Sequence, residues 1–118
     1  VSIGDSAFWE CTNLTSITLP YSVRDIGMGA FGQCASLASV TLGLKLETIG
    51  DGAFMSCSSL SEIDIPQTLT TLGHAAFAEC SSLVSVSLPE QIKLIHGDTF
   101  RGCENLTTIH LPDTIFEF

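Results

Sequence analysis

Five cysteines recur through the sequence at one fixed interval, and thiols act as nucleophiles and as metal ligands. The interval stays constant along the whole row, which consists of Cys11, Cys34, Cys57, Cys80 and Cys103. An odd number of cysteines does not close a disulfide framework, and the absence of C-x-x-C argues against zinc. Cysteines stacked in one row would also have parallel Cβ vectors, which a disulfide does not accept. We therefore predict a buried column of free thiols.

Histidines and carboxylates are the next candidates for chemistry. His74, His96 and His110 fall at three different positions of the 23-residue interval, and no G-x-S-x-G, H-E-x-x-H, P-loop or Rossmann motif occurs. Asp51 and His74 share one position in adjacent intervals, but two ligands make a weak metal site and favour a solvated ion pair. We predict a protein without catalytic residues, metal or cofactor.

A row of polar side chains on alternate positions is the candidate binding surface. Most members carry hydroxyls, and Glu62 with Asp64 adds an acidic spot. The ten residues are Ser16, Thr18, Ser39, Thr41, Glu62, Asp64, Ser85, Ser87, Thr108 and His110. Trp, Tyr and Arg, which dominate protein-binding hot spots, are missing from the row. Two interpretations stay open: a shallow recognition strip, or a solvated β-face whose Ser and Thr merely suit strands.

Two smaller sets also have two interpretations each. The sequons at Asn13 and Asn105 leave glycosylation open, but both asparagines share a position with serines elsewhere. That exchange favours a turn in which a short polar side chain bonds the backbone. Trp9 and Met55 share another position, where they either anchor a partner or cover neighbouring backbone.

All these residues are positioned by an internal repeat that fills the chain. Its units are residues 3–25, 26–48, 49–71, 72–94 and 95–117. The shared pattern is I-G-x-x-A-F-x-x-C-x-x-L-x-x-I-x-L-P-x-x-I-x-x. A unit of this length is too small to bury its own core, whereas stacked units can share one. Five copies without insertion therefore predict one domain, residues 1–118, built of stacked coils.

Each coil is predicted to contain one strand and one helical turn. Ile17 and Leu19 alternate with polar residues, which is typical of a strand, and Pro20 would end it. In register, such strands form one parallel sheet. A glycine early in the unit marks a place where the backbone bends or packs closely. Spacings of one, three and three are typical of a helical turn, and they separate Ala7, Phe8, Cys11 and Leu14.

The pattern resembles the BspA-type, or treponemal, leucine-rich repeat over essentially the whole chain. The resemblance implies an α/β fold: a right-handed leucine-rich-repeat solenoid of five coils, with a concave parallel sheet and short helical turns on the convex side. It also implies a cell-surface or secreted protein that binds host matrix proteins, host cells or other microbes. The chain departs from the pattern where Gly43 replaces Pro, and where His96 and Thr99 replace Gly and Ala.

Composition narrows the range of partners. Thirteen Asp and Glu against four Lys and Arg give a net charge of −9, which argues against nucleic acid. No basic amphipathic segment is available for an anionic membrane surface. The mean hydropathy is +0.41, but no apolar run approaches the roughly 20 residues of a membrane span. We predict neither nucleic-acid binding nor membrane insertion.

The leading hypothesis is a non-catalytic module that binds a protein or glycan on a host or microbial surface, in adhesion or recognition. The alternatives are a structural spacer or stalk, and an intracellular regulatory scaffold in which free cysteines stay reduced. Phe118 falls at the first position of the pattern, and neither end shows a polar cap. We therefore expect a segment of a longer array whose uncapped ends can associate with one another.

Overall fold

A computed structural model describes residues 1–92 and 94–111 as a stack of coils that measures 38 × 32 × 18 Å. The first coil and the coils after it place equivalent residues side by side, one repeat interval apart. The strands are β1 (Ser2–Ile3), β2 (Ser16–Thr18), β3 (Asp25–Ile26), β4 (Ser39–Thr41), β5 (Thr48–Ile49), β6 (Thr71–Leu72), β7 (Ser85–Ser87) and β8 (Thr108–His110). The solenoid of parallel strands confirms the predicted fold class.

Strand pairing follows the repeat in two separate rows. One row is the predicted row: β2 pairs with β4, and β7 pairs with β8, all parallel. The other row is a four-stranded sheet in the order β1-β3-β5-β6. The prediction of one strand per coil is therefore wrong. The second strand is only two residues long and pairs positions such as Thr48 with Thr71, too short for an alternation of polar and apolar residues to be recognised.

The predicted helical turn is also wrong, because consecutive tight turns occupy this part of each coil. We call the segment from the early glycine to the cysteine the turn arc. Alternate N–H groups of the arc donate to the next coil: Phe31 N–H reaches Ala53 O at 2.8 Å, and Gln33 N–H reaches Met55 O at 2.8 Å. A helix would use the same N–H groups within its own segment. The apolar spacing that predicted a helix is met by turns instead.

Left-handed backbone makes these bonds between coils possible. In the third coil, Gly52 and Ser56 both have φ of 62°. Residues at the same two positions of other coils behave alike, namely Ser6, Glu10, Gly29, Gln33, Ala75, Glu79 and Gly102. A left-handed residue reverses the local twist of the chain. The peptide groups beside it then point along the stack rather than along the chain.

The core is a set of columns that run through the stack, as the repeat predicts. Phe31, Phe54 and Phe77 are fully buried, and the phenylalanine rings stack with centroids 5.1–5.7 Å apart. The leucine, cysteine and isoleucine columns are likewise buried in the middle coils. In the first coil, Phe8 is only half-buried, since a single described coil lies against it. The high mean hydropathy therefore reports a shared interior.

Close approach between coils explains the early glycine. A Cβ built on Gly50 would lie 2.9 Å from the carbonyl carbon of Gly27, and one on Gly73 would lie 2.5 Å from the Asp51 nitrogen. No side chain fits at those distances. Thr99, which departs from the pattern, stays buried because its hydroxyl donates to Gly73 O at 3.2 Å. Phe118, on which the expectation of a further unit rests, lies outside the described residues.

Candidate binding surface

The ten candidate residues are all exposed, and most of them lie on paired strands. Their neighbours on the strands, such as Ile17 and Val40, point into the core, as alternation predicts. Equivalent candidates stand beside one another, for example Ser16 beside Ser39 and Ser87 beside His110. The structure therefore places eight of the ten on the outer side of the β2–β4 and β7–β8 pairs, and it places Glu62 and Asp64 on the coil between those pairs.

The row is divided into two parts by a break in the sheet. In this row, among residues 1–92 and 94–111, no strand pairing joins β4 to the third coil, whereas the Glu62–Ser85 bridge joins the third coil to the fourth. The second and third coils remain joined through the β3–β5 pairing and the turn arc. Beyond the break lies a groove of about 400 Å³. Six of the ten candidates line it: Glu62, Asp64, Ser85, Ser87, Thr108 and His110. Ser16, Thr18, Ser39 and Thr41 lie before the break.

The groove offers carboxylates, hydroxyls and one imidazole. Glu62 and Asp64 stand on one side and His110 stands at the far coil, with hydroxyls between them. The sequence did not single out Gln67, which also lines the groove, because it follows Pro66 and lies off the strand pattern. No Lys or Arg belongs to the lining of the groove among the described residues. Its chemistry suits a partner that presents cationic or hydrogen-bond-donating groups.

The cysteine column is buried in the middle coils, as predicted, whereas Cys11 and Cys103 at its two ends are only partly buried. All five cysteines are free, and Cys57 Sγ lies 3.2 Å from Phe31 O, to which the thiol donates. The thiol of Cys80 donates to Phe54 O in the same way. Burial raises the pKa of the Cys57 thiol to about 12, and it raises the pKa of Cys80 as well. Since the thiolate is the reactive form, these side chains fill space rather than attack a substrate.

A second polar cluster lies on the turn arcs of the later coils. Asp51 Oδ1 accepts a hydrogen bond from the backbone N–H of His74, so the predicted pair does not involve the imidazole. The His74 ring instead lies 3.4 Å from Asp98 Oδ1 and stacks on His96. Desolvation is the largest single influence on the pKa of Asp98 and raises it, but the hydrogen bonds from backbone N–H groups, including that of Ala75, and from His74 together outweigh it and lower that pKa. Within the described part of the chain, no three such ligands gather in a metal-binding arrangement.

Trp9 and Asn105, one of the two sequon asparagines, make local structural contacts. The Trp9 ring lies directly over Gly32 of the next coil, where any Cβ would overlap it, and its Nε1 donates to Glu10 at 2.9 Å. The Asn105 Nδ2 donates to Ser81 O at 2.8 Å. The Trp9 contact favours the interpretation that this ring covers neighbouring backbone, and the Asn105 hydrogen bond favours the turn interpretation of that sequon.

Short parallel strands and stacked Phe, Cys and Leu columns at one fixed interval define a leucine-rich-repeat solenoid. The chain belongs to the BspA-type leucine-rich-repeat family: the family described as "BspA type Leucine rich repeat region" matches residues 1–118 in 6 copies. The resemblance drawn from the repeat pattern is confirmed. Leucine-rich-repeat domains are typically non-catalytic scaffolds that mediate protein interactions.

Crystal structures of bacterial leucine-rich-repeat proteins share the fold. One, from Treponema pallidum, is 34% identical with a TM-score of 0.88, over 96% of this chain and 64% of that one. A second, from Bacteroides ovatus, is 35% identical with a TM-score of 0.93, over 98% and 30%. A third, a leucine-rich cell surface protein from Faecalibacterium prausnitzii, is 32% identical with a TM-score of 0.86, over 92% and 29%.

This chain spans less than two thirds of the length of each of these proteins. No curated protein matches it. None of the described residues belongs to a helix long and apolar enough to cross a membrane.

Proposed function

We propose that this chain is a non-catalytic binding module of a cell-surface or secreted protein, and that its ligand is a protein held in the groove at Glu62 and Asp64. The observation that carries the proposal is the convergence of six sequence-predicted residues on one groove. The family's general role in protein interaction supports it, and so does the surface description of the F. prausnitzii relative. Adhesion to host or microbial surfaces is the role we assign.

A structural spacer is the second candidate function. The face before the sheet break carries only hydroxyls, at Ser16, Thr18, Ser39 and Thr41, and these also suit a solvated strand. The relatives are longer than this chain, which supports units 3–25 to 95–117 as one part of a longer array. Association of the chain end to end stays a prediction, to be tested by light scattering across a range of protein concentrations.

The test is a binding screen on immobilised protein against matrix proteins and glycans, repeated with Glu62→Gln plus Asp64→Asn. We expect the double variant to weaken binding by at least about tenfold, because it removes both carboxylates of the groove. The matched control is Ser16→Ala plus Ser39→Ala, on the other side of the sheet break, which should change binding little. Binding that survives the acidic variant would reject the groove, and a screen without any ligand would favour the spacer.

A further inference from the structure

We propose a second docking surface on the lateral edge of the stack, and we infer that it accepts an acidic protein segment. The lateral edge is the turn that follows strands β2 and β4, and it includes Tyr21, Arg24, Leu44, Lys45 and Glu47. None of these residues belongs to the groove at Glu62 and Asp64. The proposal therefore stands or falls separately from the function assigned to that groove.

The edge exposes two large apolar side chains side by side. Leu44 is 74% exposed and Tyr21 is 67% exposed. They occupy the same position in adjacent coils. Exposed Tyr in an apolar patch is typical of protein-binding hot spots, which the predicted row of ten residues lacks. Two exposed apolar side chains do not stabilise a turn that contacts only water.

A departure from the repeat brings the pair together. Gly43 stands where the other units have a proline, as at Pro20 and Pro66. A Cβ on Gly43 would lie only 2.6 Å from the Tyr21 Cα and 3.1 Å from the Tyr21 carbonyl oxygen. Glycine therefore lets the Leu44 turn pack directly on the Tyr21 backbone. The lateral edge therefore depends on Gly43, a residue that departs from the repeat pattern.

The charges on the edge differ from those on the rest of the chain. Lys45 Nζ lies 5.2 Å from the centre of the Tyr21 ring, and no carboxylate in residues 1–92 or 94–111 forms an ion pair with it. Arg24, by contrast, is paired with Glu47 at 2.6 Å. A groove of about 300 Å³ runs beside them, lined by Arg24, Leu44, Lys45, Glu47, Thr68, Thr70 and Gln91.

These features specify the occupant. The chain has a net charge of −9 and only four basic residues, of which two lie on this edge. An acidic segment is repelled by most of the surface and attracted here, because Lys45 has no carboxylate partner among the described residues. An apolar side chain of the same segment would cover Leu44 and Tyr21. The occupant is a protein segment with a carboxylate next to an apolar residue.

The experiment selects short random displayed peptides on the purified chain and measures the affinity of the enriched peptides. We expect enriched peptides to be acidic and to contain apolar residues, with binding that weakens as salt is raised. Leu44→Ser and Lys45→Glu should each weaken binding by at least about tenfold. The matched controls are Val84→Ser, which alters an apolar side chain 46% exposed on another coil, and Glu62→Gln in the groove.

Each remaining outcome overturns the proposal. It fails if no peptide is enriched, if enriched peptides are basic, or if acidic peptides bind equally well to the edge variants. It also fails if peptides do not bind and the edge variants instead abolish binding of sialylated glycans. The same holds if peptides do not bind and the edge variants abolish self-association of the chain. Thermal unfolding checks that each variant is folded, which we expect because the altered side chains are exposed.

Discussion

At the scale of single residues, the cysteine thiols link neighbouring coils along the stack. Each thiol from Cys34 onward donates to a phenylalanine carbonyl of the preceding coil, as Cys57 does to Phe31 and Cys103 to Phe77. The column therefore joins coils through hydrogen bonds as well as by packing. Its pattern of burial makes stability sensitive to alkaline pH.

We predict that unfolding stability falls between about pH 9 and about pH 12 and that Cys57→Ser reduces the fall. The pKa of Cys57 rises from 9.0 to about 12 in the fold. The stabilisation is complete below the unfolded value and is lost as pH rises through the folded one. Urea unfolding at about pH 8 and about pH 10.5 should differ by about 1–2 kcal/mol more in the parent than in the variant. Equal pH dependence in both proteins would contradict the prediction.

Core residues and the exposed positions of the strands could be predicted from the sequence, whereas the residues outside the strand pattern that complete each surface could not. The apolar columns recur once in every unit, so their burial follows from the pattern. Gln67 in the groove and Lys45 at the lateral edge have no such signal. They gain a role only through neighbours from adjacent coils, and those neighbours vary freely from unit to unit.

At the scale of secondary-structure elements, the turn arc distinguishes two reasons for glycine. Gly50 faces a close backbone contact, with a built Cβ 2.9 Å from the Gly27 carbonyl carbon. Gly52 has open space around it, since the nearest atom to its Cβ is Met55 Cβ at 3.9 Å, but its φ is 62°. Glycine is required at position 50 because a side chain would overlap the preceding coil, and at position 52 because the backbone is left-handed.

We predict that Gly50→Ala destabilises the fold more than Gly52→Ala. Overlap with backbone should cost about 2 kcal/mol or more, whereas a left-handed alanine should cost about 1 kcal/mol. Ala75, with φ of 56°, provides the reverse test, because Ala75→Gly removes that conformational cost. Chemical denaturation measures all three. A larger loss for Gly52→Ala than for Gly50→Ala would show that the close contact is relieved by movement between coils.

The sequence predicted a helical turn because turns and helices share the same apolar spacing. Residue types that favour a left-handed backbone would have indicated turns rather than a helix. Glu10, Gln33 and Glu79 adopt that backbone, but their residue types have no preference for it. Their backbone is fixed by hydrogen bonds to the next coil, such as Glu10 N–H to Gly32 O at 2.8 Å. The sequence of a single unit does not contain the carbonyl group of the next coil that accepts this hydrogen bond.

At the scale of the whole molecule, the stack behaves as a line of units in which each contacts its neighbours. Phe54 is fully buried between the rings of Phe31 and Phe77, at 5.3 and 5.4 Å. Phe100 is only partly buried, and its one ring contact among the described residues is with Phe77 at 5.7 Å. Position along the stack should therefore govern the effect of one substitution.

We predict that Phe54→Ala destabilises the fold by about 3–5 kcal/mol and that Phe100→Ala costs about half as much. Hydrogen exchange should show opening across the coils for the first variant, and opening confined to the last described coil for the second. Unfolding in urea followed by far-UV circular dichroism gives the global midpoint, and the fluorescence of Trp9, whose ring covers the second coil, reports on the first coils. Equal losses at both positions would contradict stabilisation through neighbouring coils.

Columns of hydrogen bonds along the turn arc give that side of the stack a local dipole. The peptide group between Ala30 and Phe31 accepts a hydrogen bond from Phe8 and donates one to Ala53, and the same chain continues to Ala76. Such peptide dipoles are all parallel, as in an α-helix, but their sum runs across the polypeptide, along the stacking axis. The positive end of this column faces the later coils, whereas bonds elsewhere on the coil, such as Gly27 N–H to Ile3 O and Glu47 N–H to Arg24 O, point the other way. The dipole is therefore local to the turn arc. Carboxylates on the arc should thus be better tolerated in later coils than in the first.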